Sequence, residues 1–283
     1  GANQTITLDA TGNASVTTPA LTANSTYDLV SVNGACTNTA SGSAVVTVLP
    51  LPTAAISGAT TICSGATAVV SFTGTPNATI TYTVDGGANQ TILLDATGNA
   101  SVTTPVLTAN STYNLVSVAS ATTPVCNNTA SGSVTITVNA LPTANVTANT
   151  ICSGTTGTVT FTGTANAVVT YTVDGGANQT VTLDASGNAS VTTPVLTVNS
   201  TYALVSVTTT ATPICSQAQT ASATVTVTAL PTASISGSTT ICSGSTAVIS
   251  FTGTANAVVT YTVDGGANQT ITLDATGNAS VTT

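Results

Sequence analysis

The chain has 283 residues and a formal charge of −8, carried by eight Asp with no Glu, Lys, Arg or His. Without His there is no ordinary acid/base pair for catalysis, and without Lys or Arg there is no charged grip on phosphate, which excludes nucleic acid as a partner. Hydrophobic residues make up 42 %, with three Phe, six Tyr and neither Trp nor Met, and the length allows two or three domains of roughly 100–200 residues.

The first residues carry no Met, no basic stretch and no apolar run of signal-peptide type. Gly1 is therefore read as an internal or processed start, in a piece of a secreted, repeat-built surface protein. No apolar run of about 18 residues occurs anywhere, so the segment is expected not to span a membrane.

Internal repetition organises the chain. The string GANQT begins at Gly1, Gly87, Gly176 and Gly266, at spacings of 86, 89 and 90 residues. Residues 1–18 and 266–283 are identical. Phe72, Phe161 and Phe251 recur in F-T-G-T strings; Tyr82, Tyr171 and Tyr261 recur in T-Y-T-V-D-G-G strings. Tyr27, Tyr113 and Tyr202 each follow N-S-T, and these nine positions use every aromatic residue. Pro-containing joints at Val48–Ala54, Asn139–Ala144 and Thr228–Ala233 mark the edges. The organisation read from this is the C-terminal half of a repeat over 1–49, complete repeats over 50–139 and 140–228, and the N-terminal half of a repeat over 229–283. The overlap of the two ends suggests one segment of a long continuous fibre, with strand complementation between separate subunits as the alternative.

Within the repeat at 50–139 the apolar period is 2, and Thr and Val alternate, which favours strands over helices. In chain order the pattern predicts strands at Ala54–Ser57, Ala68–Phe72, Thr79–Val84, Gln90–Leu94, Ala100–Val106, Thr112–Val118 and Gly132–Val138. Asp85-Gly86-Gly87 and Asp95-Ala96-Thr97-Gly98-Asn99 are the hairpin turns between the third, fourth and fifth. Seven short strands in about 90 residues read as all-β, tandem immunoglobulin-like (PKD-like) sandwiches. Phe72 and Tyr82 anchor the expected core, with Phe161, Tyr171, Phe251 and Tyr261 in the matching places. Tyr113 and Tyr202 sit where a tyrosine corner would tie its hydroxyl to upstream backbone.

The six Cys stand 63 residues apart within a repeat, as Cys63 and Cys126 and as Cys152 and Cys215. That spacing suggests one disulfide per domain. A geometric objection stands beside it, because the two positions start near opposite ends of the sandwich; free thiols or a bond between neighbouring domains are the alternatives. No C-x-x-C pair supports zinc, and nothing beside a thiol acts as its base. Asp85 and Asp95, Asp174 and Asp184, and Asp264 and Asp274 flank one hairpin per repeat and read as turn-capping residues, too few for calcium. The expectation is no catalytic, cofactor or metal site.

The string from Cys63 through Phe72, Tyr82, Asp85 and Tyr113 to Cys126, matched by Cys152, Phe161, Tyr171, Asp174, Tyr202 and Cys215, resembles repeats of very large Bacteroidetes (flavobacterial) cell-surface adhesins. The resemblance implies export by the type IX route to the bacterial surface and a link to attachment or gliding motility. The function expected is a structural or adhesive segment of a surface fibre or stalk, not an enzyme. Its partners are adjacent repeats of the same chain or fibre and a surface or glycan ligand of unknown identity. A Thr-rich glycan- or ice-binding module, or accessory repeats of a secreted enzyme, are the alternatives.

Overall fold

The computed structural model describes residues 2–283, and among them every regular element is a β-strand. The chain forms two compact units, Gly1–Asn139 and Ala140–Thr283.

The first unit begins with residues 2–24, which hold a turn but no strand. Four short strands follow: β1 (Ser25–Asp28), β2 (Ser31–Asn33), β3 (Thr37–Thr39) and β4 (Ser43–Val46). β1 pairs antiparallel with β4, and β2 with β3. The repeat after them supplies β5 (Ala54–Ser57), β6 (Thr60–Cys63), β7 (Val69–Gly74), β8 (Thr79–Val84), β9 (Gln90–Leu93), β10 (Asn99–Thr103), β11 (Ser111–Ala119), β12 (Asn127–Thr129) and β13 (Ser133–Asn139). These make two sheets, β10–β7–β5 and β6–β13–β11–β8–β9, with β12 also on β11. All pairs are antiparallel except β6 with β13. This strand order is that of an immunoglobulin-like sandwich whose first strand is shared between the two sheets.

Two of these strands lie outside the sequence pattern. β6 is a four-residue run next to glycine, and its strand character comes from pairing along β13. β12 is three residues folded back on β11. The switch from β5 to β6 needs Gly58: its φ is 110° and a Cβ there would stand 2.5 Å from the Val69 carbonyl oxygen. The F-T-G-T string has a similar cause, since a Cβ on Gly74 would stand 2.1 Å from the Thr53 carbonyl oxygen, where the linker crosses the end of β7.

The core lies between the sheets. Phe72, Val70, Ile80, Leu94 and Ile136 are fully buried, with Tyr82, Tyr113 and Val118 beside them. Phe72 and Tyr82 meet with ring centroids 4.9 Å apart, and Tyr82 stacks on Tyr113 at 6.2 Å. Removing a ring of this kind costs about 3–5 kcal/mol. Thr104, just past β10, is buried and its hydroxyl is satisfied on both sides: it accepts the Ala68 amide at 3.0 Å and donates to the Pro105 carbonyl at 2.8 Å.

The second unit repeats the plan with β14 (Ala144–Ala148), β15 (Thr150–Cys152), β16 (Thr155–Gly163), β17 (Val168–Val173), β18 (Gln179–Thr182), β19 (Asn188–Leu196), β20 (Ser200–Thr208), β21 (Ser216–Ala218) and β22 (Ser222–Thr228). Its sheets are β14–β16–β19 and β15–β22–β20–β17–β18, the same order as before. Phe161, Tyr171 and Tyr202 repeat the aromatic row at 4.8 and 6.0 Å. The remaining strands are β23 (Ala233–Ser236), β24 (Val248–Gly253), β25 (Val258–Tyr261), β26 (Gln269–Thr272) and β27 (Asn278–Thr282). They form a three-stranded sheet, β23–β24–β27, and a β25–β26 hairpin. Phe251 is buried and packs on Tyr261 at 4.9 Å, but Tyr261 is only half-buried. Among the described residues no helix is long and apolar enough to cross a membrane.

Candidate functional site

Three groups of residues stand out as more than packing: the Asp of each D-G-G turn, the cysteines, and the open faces of the partial repeats. The turn Val84–Gly87 closes with the Gly87 amide donating to the Val84 carbonyl at 2.9 Å. Asp85 and Gly86 take φ of 52° and 70°, positive at both central positions as in a type I′ turn, within the loop that leads from Tyr82 to Gln90, the last pair of β8 with β9. This turn aims the Asp85 carboxylate across the sheet. It accepts the Thr112 amide at 2.7 Å and the Ser111 hydroxyl at 3.0 Å, while the Asp85 amide donates to the Thr112 carbonyl at 2.8 Å. Asp174 makes the same clamp on Thr201 at 2.7 Å and Ser200 at 2.9 Å. The sequence reading has these Asp residues capping their own turns; the partners 26 and 27 residues away went unrecognised. The N-S-T string before each tyrosine was the available signal.

The second Asp of each pair does cap its own turn. Asp95 accepts the Thr97 amide and hydroxyl at 2.8 and 2.7 Å and the Asn99 amide at 2.9 Å. The Thr97 hydroxyl, then the Asn99 and Thr97 amides, hold its carboxyl below the usual 3.8. Asp9 and Asp274 are lowered by the same kind of turn, with the Asn13 and Asn278 amides as the largest cause. Among the described residues no group of three or more His, Cys, Asp or Glu is placed to hold a metal ion.

Tyr113 and Tyr202 are buried at the start of β11 and β20. Burial raises both hydroxyls above the ordinary tyrosine value, and hydrogen bonds to the Ser111 and Ser200 side chains offset part of that rise. Tyr82 and Tyr171 reach Gln90 and Gln179 across the hairpin at 3.1 and 3.2 Å.

The cysteines depart from the expected pairing. Cys126 and Cys152 carry free thiols, so neither Cys63–Cys126 nor Cys152–Cys215 forms. Cys63 and Cys215 are each disulfide-bonded, and Cys36 and Cys242 are exposed thiols. Strand register explains the correction. Cys63 stands opposite Asn139 at the end of β13. Cys126 closes the loop after β11, its carbonyl accepting the Ser120 amide at 2.9 Å. β11 runs antiparallel to β13, so roughly ten residue steps of ~3.3 Å separate the two positions, against a Cα limit near ~7 Å for a disulfide.

The outer face of β11 and β13 carries Thr hydroxyls that bond each other, Thr112 with Thr135 at 3.1 Å and, in the next repeat, Thr201 with Thr224 at 3.0 Å. Exposed apolar side chains occur in every repeat, Val106 and Val198 of the complete ones among them, but in residues 25–46 they include positions that are core elsewhere. Tyr27, Leu29 and Val32 are 39, 57 and 47 % exposed; their counterparts Tyr113, Leu115 and Val118 are 2, 7 and 1 % exposed.

Compared with known proteins, the chain matches no family model, and no curated protein matches it either. Among solved structures it is similar to chains of a marsupial T cell receptor. One is 10 % identical over 83 % of this chain and 99 % of that chain, at a TM-score of 0.38. Another is 10 % identical over 76 % and 85 %, at 0.23. The fold assignment rests on strand order: the chain is an all-β protein of tandem immunoglobulin-like sandwiches. Such a fold is compatible with a structural or adhesive module, and its disulfide is a bond of oxidising, extracellular or secretory settings.

Proposed function

We propose that the chain is a structural or adhesive segment of a long, repetitive bacterial cell-surface fibre or adhesin stalk, with no enzymatic activity of its own. The observation that carries this reading is repetition at the level of individual bonds. Strand order, the Asp clamp, the buried Thr at the T-T-P string and the aromatic row all recur from β5–β13 to β14–β22. A feature that occurs once per repeat suits a spacer or a multivalent surface, whereas a catalytic centre is ordinarily single. The resemblance to flavobacterial adhesin repeats supports export by the type IX route and a part in attachment or gliding. The glycan- or ice-binding alternative gains little from the Thr faces, because the closest hydroxyl pairs satisfy each other.

Antibodies raised against the 283-residue chain test the reading on intact cells of the source bacterium. Surface label along thin filaments, removed by protease shaving and lost together with attachment when the gene is deleted, is the expected result. Label confined to the cell interior overturns it.

A further inference from the structure

Strand direction fixes where the chain enters and leaves each complete repeat. β5 begins opposite Gly74, just before β8, whose first residue Thr79 stands opposite Ala119 at the far end of β11. β13 ends beyond the near end of β11, where Ser111 pairs with Ile136. The chain thus enters the sandwich at one end and leaves it at the other. Between those points lies the parallel pair, β6 on β13, matching Thr60 with Ile136, Thr61 with Thr137, Ile62 with Val138 and Cys63 with Asn139. Side-chain bonds pin both points. At the entry the Thr53 amide donates to the Thr75 hydroxyl and the Thr75 amide to the Thr53 carbonyl, both at 3.0 Å. The Asn128 side-chain amide donates to the Pro52 carbonyl at 3.0 Å. At the exit the Val138 amide donates to the Asn110 side-chain oxygen at 2.7 Å, and the Ser64 amide to the Asn139 carbonyl at 2.8 Å. The next repeat copies the arrangement. β15 lies parallel on β22, the Thr143 amide donates to the Thr164 hydroxyl at 3.0 Å, and the Val227 amide donates to Asn199 at 2.7 Å.

We propose that each complete repeat is built to bear tension along the chain, with the parallel pair β6–β13, and β15–β22 in the next repeat, as a shear lock. Tension draws β6 back toward the entry and β13 forward toward the exit. Parallel neighbours drawn in opposite directions must slide past each other, so the evenly spaced bonds of their ladder are strained together. A hairpin pulled from its open end gives way one pair at a time instead. Sliding also drags side chains through the core, because Ile136 is fully buried and Ile62 packs against the same cluster. Asn110 and Asn199 act as positioning residues: each holds the last turn of the ladder in line at the point where load arrives. Thr75 and Thr164 do the same at the entry, which keeps load from peeling β5 and β14 off their sheets. The inference rests on the stalk reading for its use in the cell; resistance to stretching is a property of the purified chain and is measured apart from any surface label.

Stretching single 283-residue chains between their ends tests it. Reducing buffer opens the bonds at Cys63 and Cys215 and places the whole backbone under load. One abrupt unfolding step per complete repeat is expected. Handles at the exposed Pro76 and Ala96 pull the β8–β9 hairpin from its open end, and this opening is expected at clearly lower force than either step. Forced unfolding reads the unfolding rate. Asn110→Ala is therefore expected to speed the step of the 50–139 repeat about tenfold, the order for one hydrogen bond that is intact before the barrier. The force that opens the β8–β9 hairpin stays unchanged in that variant, which a general loss of stability would not allow. Ser64→Pro deletes the amide that bonds Asn139 and lowers the step of the same repeat, leaving the step of the 140–228 repeat as it was. End-to-end steps no stronger than hairpin opening overturn the proposal, and so does a Ser64→Pro chain with both steps unchanged.

Discussion

The carboxylate of Asp85 holds the amide of Thr112 at 2.7 Å, and through it the turn after β8 fixes where β11 begins. Ser111 adds a second bond at 3.0 Å. Charge-assisted bonds of this kind contribute about 1.5–3 kcal/mol. Asp85→Gly keeps the positive φ and deletes both bonds, so it is expected to lower the stability of the 50–139 repeat by about 1.5–3 kcal/mol in urea unfolding. Asp85→Ala costs more, because Ala is strained at a φ of 52°. Asp85→Asn keeps an acceptor and tolerates that φ, and falls between wild type and Gly. Equal stability of all four proteins would remove the clamp from the account.

Acid should weaken the sandwich at its other Asp. The Asp95 carboxyl is held below 3.8 by the Thr97 hydroxyl and the Asn99 and Thr97 amides, and Asp274 by its matching turn. A carboxyl whose folded value is lowered contributes stability above the unfolded value and loses it as pH falls through the folded one. Melting temperature is therefore expected to hold down to about pH 4 and to decline below it. Asp95→Asn starts lower and shows a shallower acid decline. An acid limb that is the same in both proteins counts against this assignment.

Cysteine chemistry gives a direct check on the corrected pairing. Alkylation of the folded chain, followed by peptide mass analysis, should label Cys36, Cys126, Cys152 and Cys242. Cys63 and Cys215 should label only after reduction. A map with Cys63 bonded to Cys126, or Cys152 to Cys215, would restore the in-repeat bonds that strand register argues against.

Much of this architecture is legible in the residues, and the parts that are not share a physical cause. Alternation of Thr and Val, the D-G-G turn and the aromatic positions are local signals, and they mark β7, β8, β9, β11 and β13 to within a few residues. β6 carries little local signal, because Thr60–Cys63 becomes a strand only by lying parallel to β13. The Asp85 clamp was hidden for the same reason: its turn role is local, while its partners Ser111 and Thr112 are brought to it by the sheet. The equal cysteine spacing was misleading because sequence separation carries no information about which end of a strand a residue occupies.

The identical segments 1–18 and 266–283 isolate that context dependence within one molecule. In 266–283 the residues form β26 and β27, paired with β25 and β24. In 2–18 the same residues hold only a turn, with the Asp9 amide bonded to the Asn13 carbonyl at 2.9 Å. Leu273 is 1 % exposed and Leu8, the same residue in the sequence, is 52 % exposed. The strands that would receive the first segment in its own unit, β7 and β8, are already paired with β10 and β9. Strand propensity is thus insufficient without a sheet to join. Hydrogen exchange on dilute protein, with peptides distinguished by their different flanks, should find slow amides across Gln269–Thr272 and Asn278–Thr282. The matching amides of the first segment should be fast, differing by at least about tenfold since unpaired backbone opens at almost no cost. Ile271→Gly then speeds exchange in the second segment only locally, whereas Ile6→Gly changes nothing measurable in the first. Equal protection of the two copies would show that this sequence makes its strands without the partners assigned to it.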